Sequence, residues 1–387
     1  MNIILISTSF TGNLKEATNI TITDFAHQLQ KIGNEVIIVS RGRAGFPDFE
    51  HFQGISIYRS SLICKYPLIK KTSPLLSVYF TLNKIKKLSL FEPEIIHNFS
   101  SAIPLALNGI IAKRIFPAAK IIHTIKSRSR EKIGNSMYFL LKYVELITVA
   151  TENFKSELVN KGIKEEKIKV IRSHINTTKF VPSPKNKLKE KHLIATKKII
   201  LFYGAMRDDK GTYDLFQSMP KVVREKPEVL FIYICRFSNI DIKYYDFVIN
   251  NNLQNHVKII TDKADIVEYI NLADVAVFPY RTLTRTESNP SCVLECLACK
   301  TPVITSNLEE LREILRDNLD CLMVEPASPL AIAENIIIAL ENKTKMKKLN
   351  ENGFETVQEF SVDKITRQFV KEYEKLLEKG RELNNSC

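Results

Sequence analysis

The sequence predicts an α/β protein made of two halves, each a parallel sheet covered by helices on both faces. Three observations carry this. Short apolar runs recur along the chain, the stretches between them have helical spacing, and the rhythm breaks once, near Pro182 and Pro184, before restarting.

In the first half the runs "NIILIS" (2–7), "EVIIVS" (35–40), "EIIHNF" (94–99), "KIIHTI" (120–125) and "LITVAT" (146–151) read as buried strands. Between the first two, Ile20, Phe25, Leu29 and Ile32 follow one helical face and Gly33 ends it. Strand, helix, strand in this order gives parallel βαβ units. The prolines and the lysine-rich run over residues 182–195 read as a linker. The second half then supplies "KIILFYG" (198–204), "VLFIYIC" (229–235), "HVKIIT" (256–261), "DVAVFPY" (274–280), "TPVITS" (301–306) and "CLMVEP" (321–326), followed by long helical stretches. A chain of 387 residues has room for two such domains.

Composition narrows the setting. An apolar fraction of 44% and a charged fraction of 26% are those of a soluble globular chain. Seven irregularly spaced cysteines suit a reducing compartment better than a disulfide framework. "MNIILISTSF" has no basic leader region and reads as a first strand, and no apolar run approaches the roughly 18 residues of a membrane span. A cytoplasmic protein is expected, able to lie peripherally on the inner face of a membrane. The formal charge of +13 is uneven: residues 51–130 hold thirteen Lys and Arg against Glu92 and Glu94 alone. Such a field attracts anionic lipid surfaces, nucleic acid or phosphorylated small molecules.

Two stretches carry chemistry. In "FYGAMRDDKG", Gly204 ends a strand and lets a ligand approach the backbone, and Arg207 and Lys210 project from a turn closed by Gly211. A cationic loop at the carboxyl end of a parallel strand is where α/β sheets bind phosphates. In "ESNPSCVLECLACKTPVI", Asn289 suits an N-cap and Pro290 the first helical position, with the helix running to about Cys299. Its amino end would offer N–H groups at Ser291, Cys292 and Val293 to a diphosphate. Glu287 lies just before this helix and Glu295 inside it, so one carboxylate can face a sugar while the other accepts hydrogen bonds from ribose hydroxyls. Cys292, Cys296 and Cys299 have the spacing of a cluster motif. On a helix, however, the outer two stand about 10 Å apart along the axis, so the three form a packing stripe.

In these residues the chain resembles the retaining glycosyltransferases of family 4. The pair Glu287 and Glu295 with "CLACKTPVI" resembles that family's E-x7-E signature. "YGAMRDDKG" is similar to its phosphate loop, "INLADVAVFPY" to the aspartate-containing strand before the signature, and "KVIRSHINTTKFVPS" to the segment closing its first domain. "FSVDKITRQFVKEYEKLL" resembles its final helix. The resemblance implies the GT-B fold, two Rossmann-like domains facing a central cleft. An acceptor-side domain would span 1–183 with the helix 365–387 packing back on it, and a nucleotide-sugar domain 184–364. Departures are Ala205 for an arginine, Lys300 for a glycine, Cys235 and Arg236 where strand-end glycines are usual, a first-domain glycine-rich loop reduced to Gly12, and Lys126 for a histidine, with His123 three residues earlier.

The implied activity is sugar transfer from a nucleoside-diphosphate sugar to a hydroxyl acceptor, a lipid-linked or cell-surface polysaccharide precursor, with retention. The chain has no Asp-x-Asp motif, so no metal or other cofactor is expected and protein cations must meet the leaving charge. Lys210, Arg207 and the helix end would do so. Glu287 would hold the donor sugar and Glu295 the ribose, with His123 a further catalytic candidate. Gly12, Gly204, Asn289, Ser291, Cys292 and Val293 complete the donor site. Lys126, Arg128, Arg130, Lys84, Lys86 and Lys87 would meet the acceptor or an anionic membrane. The alternative is a diverged, non-catalytic GT-B protein holding a nucleotide or anionic partner. A nucleic-acid binder is disfavoured, because RNA-binding signatures and zinc-finger spacing are missing.

Overall fold

The computed structural model describes residues 1–11, 17–62, 73–100, 106–126, 135–192, 194, 196–235, 240–261, 264–284 and 287–385. They form two compact units. The first comprises Met1–His174 and Val362–Cys387, the second Ile175–Ser361.

In the first unit the strands are β1 (Asn2–Ile6), β2 (Glu35–Val39), β3 (Phe49–Phe52), β4 (Ile55–Tyr58), β5 (Ile95–Phe99), β6 (Lys120–Ile125), β7 (Leu146–Val149) and β8 (Ile168–Val170). They form one sheet in the order β3-β4-β2-β1-β5-β6-β7-β8. All pairings are parallel except β3 with β4. Ile4, Ile6, Ile96 and Ile121 bury into one face, Ile3, Leu5, Ile95 and Ile122 into the other. Two covered faces explain why these runs are unbroken in apolar residues and do not alternate. The second of these cores includes Phe25 and Leu29 from the helix Ala17–Lys31 and Ile365, Phe369 and Tyr373 from the helix Val362–Asn385. Gln28 donates to Asp363 at 2.7 Å where the two helices meet.

The β3–β4 hairpin was not anticipated. Its two-residue turn is Gln53–Gly54, both at positive φ (49° and 80°), the geometry that joins twisted antiparallel strands most tightly. Glutamine is a weaker signal for that turn than asparagine or aspartate, and the strands are only four residues each.

The second unit holds β9 (Lys198–Gly204), β10 (Val229–Cys235), β11 (Val257–Ile260), β12 (Val275–Phe278), β13 (Val303–Ser306) and β14 (Leu322–Val324). All are parallel, in the order β11-β10-β9-β12-β13-β14. Chain direction across the sheet reverses between β9 and β12, the switch point where α/β sheets leave a crevice at the carboxyl ends of their strands.

The lysine-rich run is not a linker. Residues Lys185–Lys191 form a helix fixed to the second unit. Lys189 donates to Asp274 at 2.6 Å and Lys191 to Glu268 at 2.5 Å, while the Ser183 N–H donates to Asn271 at 2.7 Å. Its lysines meet acids that sequence order hides, because the partners lie some eighty residues away.

Candidate active site

The loop leaving β9 and the loop leaving β12 meet at the switch point. Gly204 has φ +134°, and a side chain added there would find only open space, so the backbone is approachable. Gly211 has φ +65°, and a Cβ there would stand 1.7 Å from the Pro279 carbonyl oxygen. Only glycine lets the two loops come this close. The Arg281 and Thr282 N–H groups then donate to the Asp209 carbonyl, at 3.1 and 3.3 Å.

This packing sorts the cations. Arg207 is bound in two hydrogen bonds to Asp209, at 2.9 and 2.6 Å, which ties its guanidinium to the loop itself. Lys210 instead sets its ammonium 4.9 Å above the Tyr280 ring. Burial pushes the Lys210 pKa down and Arg207 adds to this, opposed by Asp209 and Glu287. Arg281 forms a second bidentate pair, to the fully buried Asp214 at 2.7 and 2.6 Å.

The signature helix runs Ser291–Ala298. Its start corrects the capping expectation. Pro290, at φ −62° and ψ 120°, is the last extended residue, no side chain caps the helix, and Asn289 is wholly buried. Val293 is also corrected as a donor contact: its side chain is in the core and its N–H is already taken by the Pro290 carbonyl at 3.2 Å. The Ser291 and Cys292 N–H groups remain, which the first turn does not use.

Tyr203, on β9, donates to Glu295 at 2.6 Å and to the Cys292 carbonyl at 3.0 Å. The Tyr280 hydroxyl lies 2.8 Å from the Cys292 sulfur. Burial pushes both phenols well above their usual range, so both remain protonated. Burial likewise raises the Glu295 pKa against the Tyr203 hydrogen bond, and Glu287 adds to the rise. Tyr280 thus links Lys210 to Cys292 and Tyr203 links Cys292 to Glu295, with Glu287 in electrostatic reach of Lys210 and Glu295. The three cysteines are a packing stripe: Cys296 and Cys299 are buried, and burial pushes the Cys292 and Cys299 thiols up to about 12. Among the described residues no group of His, Cys, Asp and Glu is arranged to hold a metal ion.

Comparison with known proteins assigns this architecture. Residues 184–356 match the model for glycosyl transferases group 1, and residues 18–179 match that for glycosyltransferase family 4. The chain belongs to glycosyltransferase family 4. Among its relatives is the capsular polysaccharide biosynthesis glycosyltransferase CapM of Staphylococcus aureus, 27% identical over 316 residues that cover 76% of this chain and 81% of that one. Another is the N,N'-diacetylbacillosaminyl-diphospho-undecaprenol alpha-1,3-N-acetylgalactosaminyltransferase of Campylobacter jejuni, 27% identical over 63% of this chain and 64% of that one. The Anabaena protein Alr3699/HepE, solved with UDP and glucose, superposes with a TM-score of 0.75 over 96% of this chain and 99% of that one, at 15% identity. A glycosyltransferase of Rickettsia africae superposes with a TM-score of 0.78 at 21% identity, over 97% of this chain and 98% of that one. At such identities the likeness shows the fold, GT-B. This family 4 member is a glycosyltransferase, and its relatives work in polysaccharide and glycolipid synthesis.

In the first unit of this glycosyltransferase, His123 is fully buried on β6. The Asn98 amide nitrogen lies 2.8 Å from its Nδ1, and its Nε2 has no hydrogen-bond partner among the described residues. Burial pushes its pKa down to about 4, so it is neutral at physiological pH. The Lys126 ammonium lies 5.5 Å from the Phe99 ring centroid, and its charge depresses His97 and His174, on which burial acts more strongly. Lys84, Lys86 and Lys87 occupy the exposed last turn of the helix Ser73–Lys87, where Lys86 bridges both oxygens of Glu92 at 3.1 Å. Gly12, Arg128 and Arg130 lie outside the described residues. Sequence reasoning gave no role to Tyr203, Tyr280, Asp209 or the Asp214–Arg281 pair. Both tyrosines read as apolar members of strand runs, whereas the Tyr203 hydroxyl and both the ring and the hydroxyl of Tyr280 reach the site.

Proposed function

We propose that this family 4 enzyme is a retaining glycosyltransferase using a nucleoside-diphosphate sugar. One observation carries the reading: Lys210, Glu287, Glu295 and the amino end of Ser291–Ala298 converge at the β9–β12 switch point. As the glycosidic bond breaks, negative charge passes to the leaving diphosphate. Lys210 and the Ser291 and Cys292 N–H groups stabilise it there, with no metal required. Arg207, held by Asp209, contributes field from behind the loop. Glu295, oriented by Tyr203, accepts from the ribose hydroxyls, and Glu287 faces the donor sugar. His123, neutral within the first unit, is a further hydrogen-bonding candidate. Burial of Lys210 favours this role, because its charge is strengthened when an anion replaces water around it.

The acceptor is a hydroxyl compound on a lipid carrier or a surface polysaccharide precursor, a reading the Staphylococcus and Campylobacter relatives support. Among the described residues no helix is long and apolar enough to cross a membrane. The basic helix end at Lys84 and Lys87 would therefore bring the enzyme to an anionic inner membrane surface from outside the bilayer. The test is a thermal-shift screen of nucleoside diphosphates and their sugars, followed by turnover with the best donor and NMR assignment of the product anomer. Lys210→Ala should lower turnover by about 10²–10³ without loss of fold. An inverted product, or a near-normal rate in that variant, would overturn the mechanism.

A further inference from the structure

A second charged site stands at the opposite edge of the same sheet. Lys198 opens β9, Asp274 precedes β12 and Pro302 precedes β13, so this edge lies at the amino ends of the strands. There a cavity of about 500 Å³ is lined by five lysines, Lys185, Lys198, Lys300, Lys343 and Lys347, against two acids, Asp274 and Glu351.

Of this charge Asp274 offsets only that of Lys185. Its carboxylate already accepts from Lys189 at 2.6 Å, the Ile199 N–H at 2.8 Å and Lys185 at 3.4 Å. Lys189 is itself only 7% exposed and also donates to the Lys197 carbonyl, so the acid is answered from behind the cavity wall. Against the other four lysines the cavity lining holds one further acid, Glu351. Burial lowers the Lys185 pKa, Asp274 opposes the fall, and Lys189 and Lys198 add to it.

Lys300 is the most telling wall residue. It has φ +55°, a conformation in which glycine is at ease and a lysine is strained. It follows the carboxyl end of the helix Ser291–Ala298 and holds its ammonium 4.6 Å from the Phe354 ring centroid. The wall thus carries a cation at a position where glycine would be unstrained. The rest of the wall is Asn350 and an apolar surface from Pro302, Ala339, Leu340 and Met346.

We propose that this cavity binds a small organic phosphate, its phosphate groups on the lysines and its body on the apolar wall, separately from the sugar-donor site. Lysine point charges suit phosphate, and the volume fits a ligand of sugar-phosphate or nucleotide size.

Isothermal titration of fructose 1,6-bisphosphate into the full chain at low salt tests this. Wild type and Lys210→Ala should bind equally, because Lys210 lies at the other edge. Lys300→Gly, which relieves the positive φ and so keeps the fold, should weaken binding about tenfold, the loss of one charged hydrogen bond. Lys198→Glu with Lys347→Glu should abolish it, with the melting temperature and circular dichroism confirming a folded chain. Inorganic pyrophosphate, lacking the organic body, should bind more weakly. The proposal falls if wild type takes up no bisphosphate at millimolar concentration, if Lys210→Ala removes the binding, or if the lysine variants bind as wild type does.

Discussion

Acid should loosen the first unit well before its carboxylates protonate, and His123 allows the effect to be sized. Its imidazole is fully buried and its pKa is held near 4 by desolvation. In the unfolded chain it titrates near 6.5. Between these values the unfolded state binds a proton that the folded state refuses, so stability falls as pH falls. At pH 5 the difference is roughly 1.5 pH units at about 1.4 kcal/mol each, or about 2 kcal/mol from this residue. His97 and His174, also depressed by burial, act in the same direction. Glu295 acts oppositely, since its raised pKa returns some stability on acidification. Asp274 and Asp320 have lowered values, so their contributions are lost only at more acidic pH. Urea titrations followed by circular dichroism at pH 7 and pH 5 should therefore show a marked loss in wild type. In His123→Gln that loss should be smaller by about 2 kcal/mol. If the variant lost as much between the two pH values as wild type, His123 would not be held neutral by the fold, and the reasoning would fail.

Other expectations concern the second unit and the basic helix end. Glu295→Gln and Tyr203→Phe should both weaken nucleoside-diphosphate binding in calorimetry, since Tyr203 orients Glu295, whereas Glu287→Gln should spare binding and lower turnover; equal diphosphate affinity in all three would reverse the assignment. Gly211→Ala should cost roughly 2–5 kcal/mol, from a strained φ and a clash with Pro279, read as a lower urea midpoint. Reversing Lys84, Lys86 and Lys87 to glutamate should reduce co-sedimentation with vesicles containing anionic lipid, and high salt should abolish it for wild type. Lys86 should matter least of the three, because Glu92 already holds it.

Much of this molecule was legible from its sequence because burial on both sheet faces writes itself as unbroken apolar runs. All eleven strands expected from such runs are present, and the missed ones have another cause. β3 and β4 lie at the sheet edge, where alternate residues meet solvent, and β8 is only three residues long. At the candidate site, spacing singled out Lys210, Glu287 and Glu295 as candidates from strand ends and a helix start. It could not foresee that Arg207 would turn onto Asp209, because the choice between a ligand and a neighbour two residues away depends on loop shape. Nor could it show that Val293 faces inward, since one residue of shift in the helix start moves each side chain by about 100°.

The helix Val362–Asn385 closes a core whose other parts were synthesised far earlier. Phe369 and Tyr373 pack with Phe25 and His97, and Tyr373 meets His97 at 2.5 Å. The intervening second unit has all its strands in hand before this helix leaves the ribosome. During synthesis the first unit must therefore wait with an apolar face unfilled while the second matures. Premature termination just after the second unit would leave one finished body joined to one with an open hydrophobic wound, a natural substrate for chaperones and proteases.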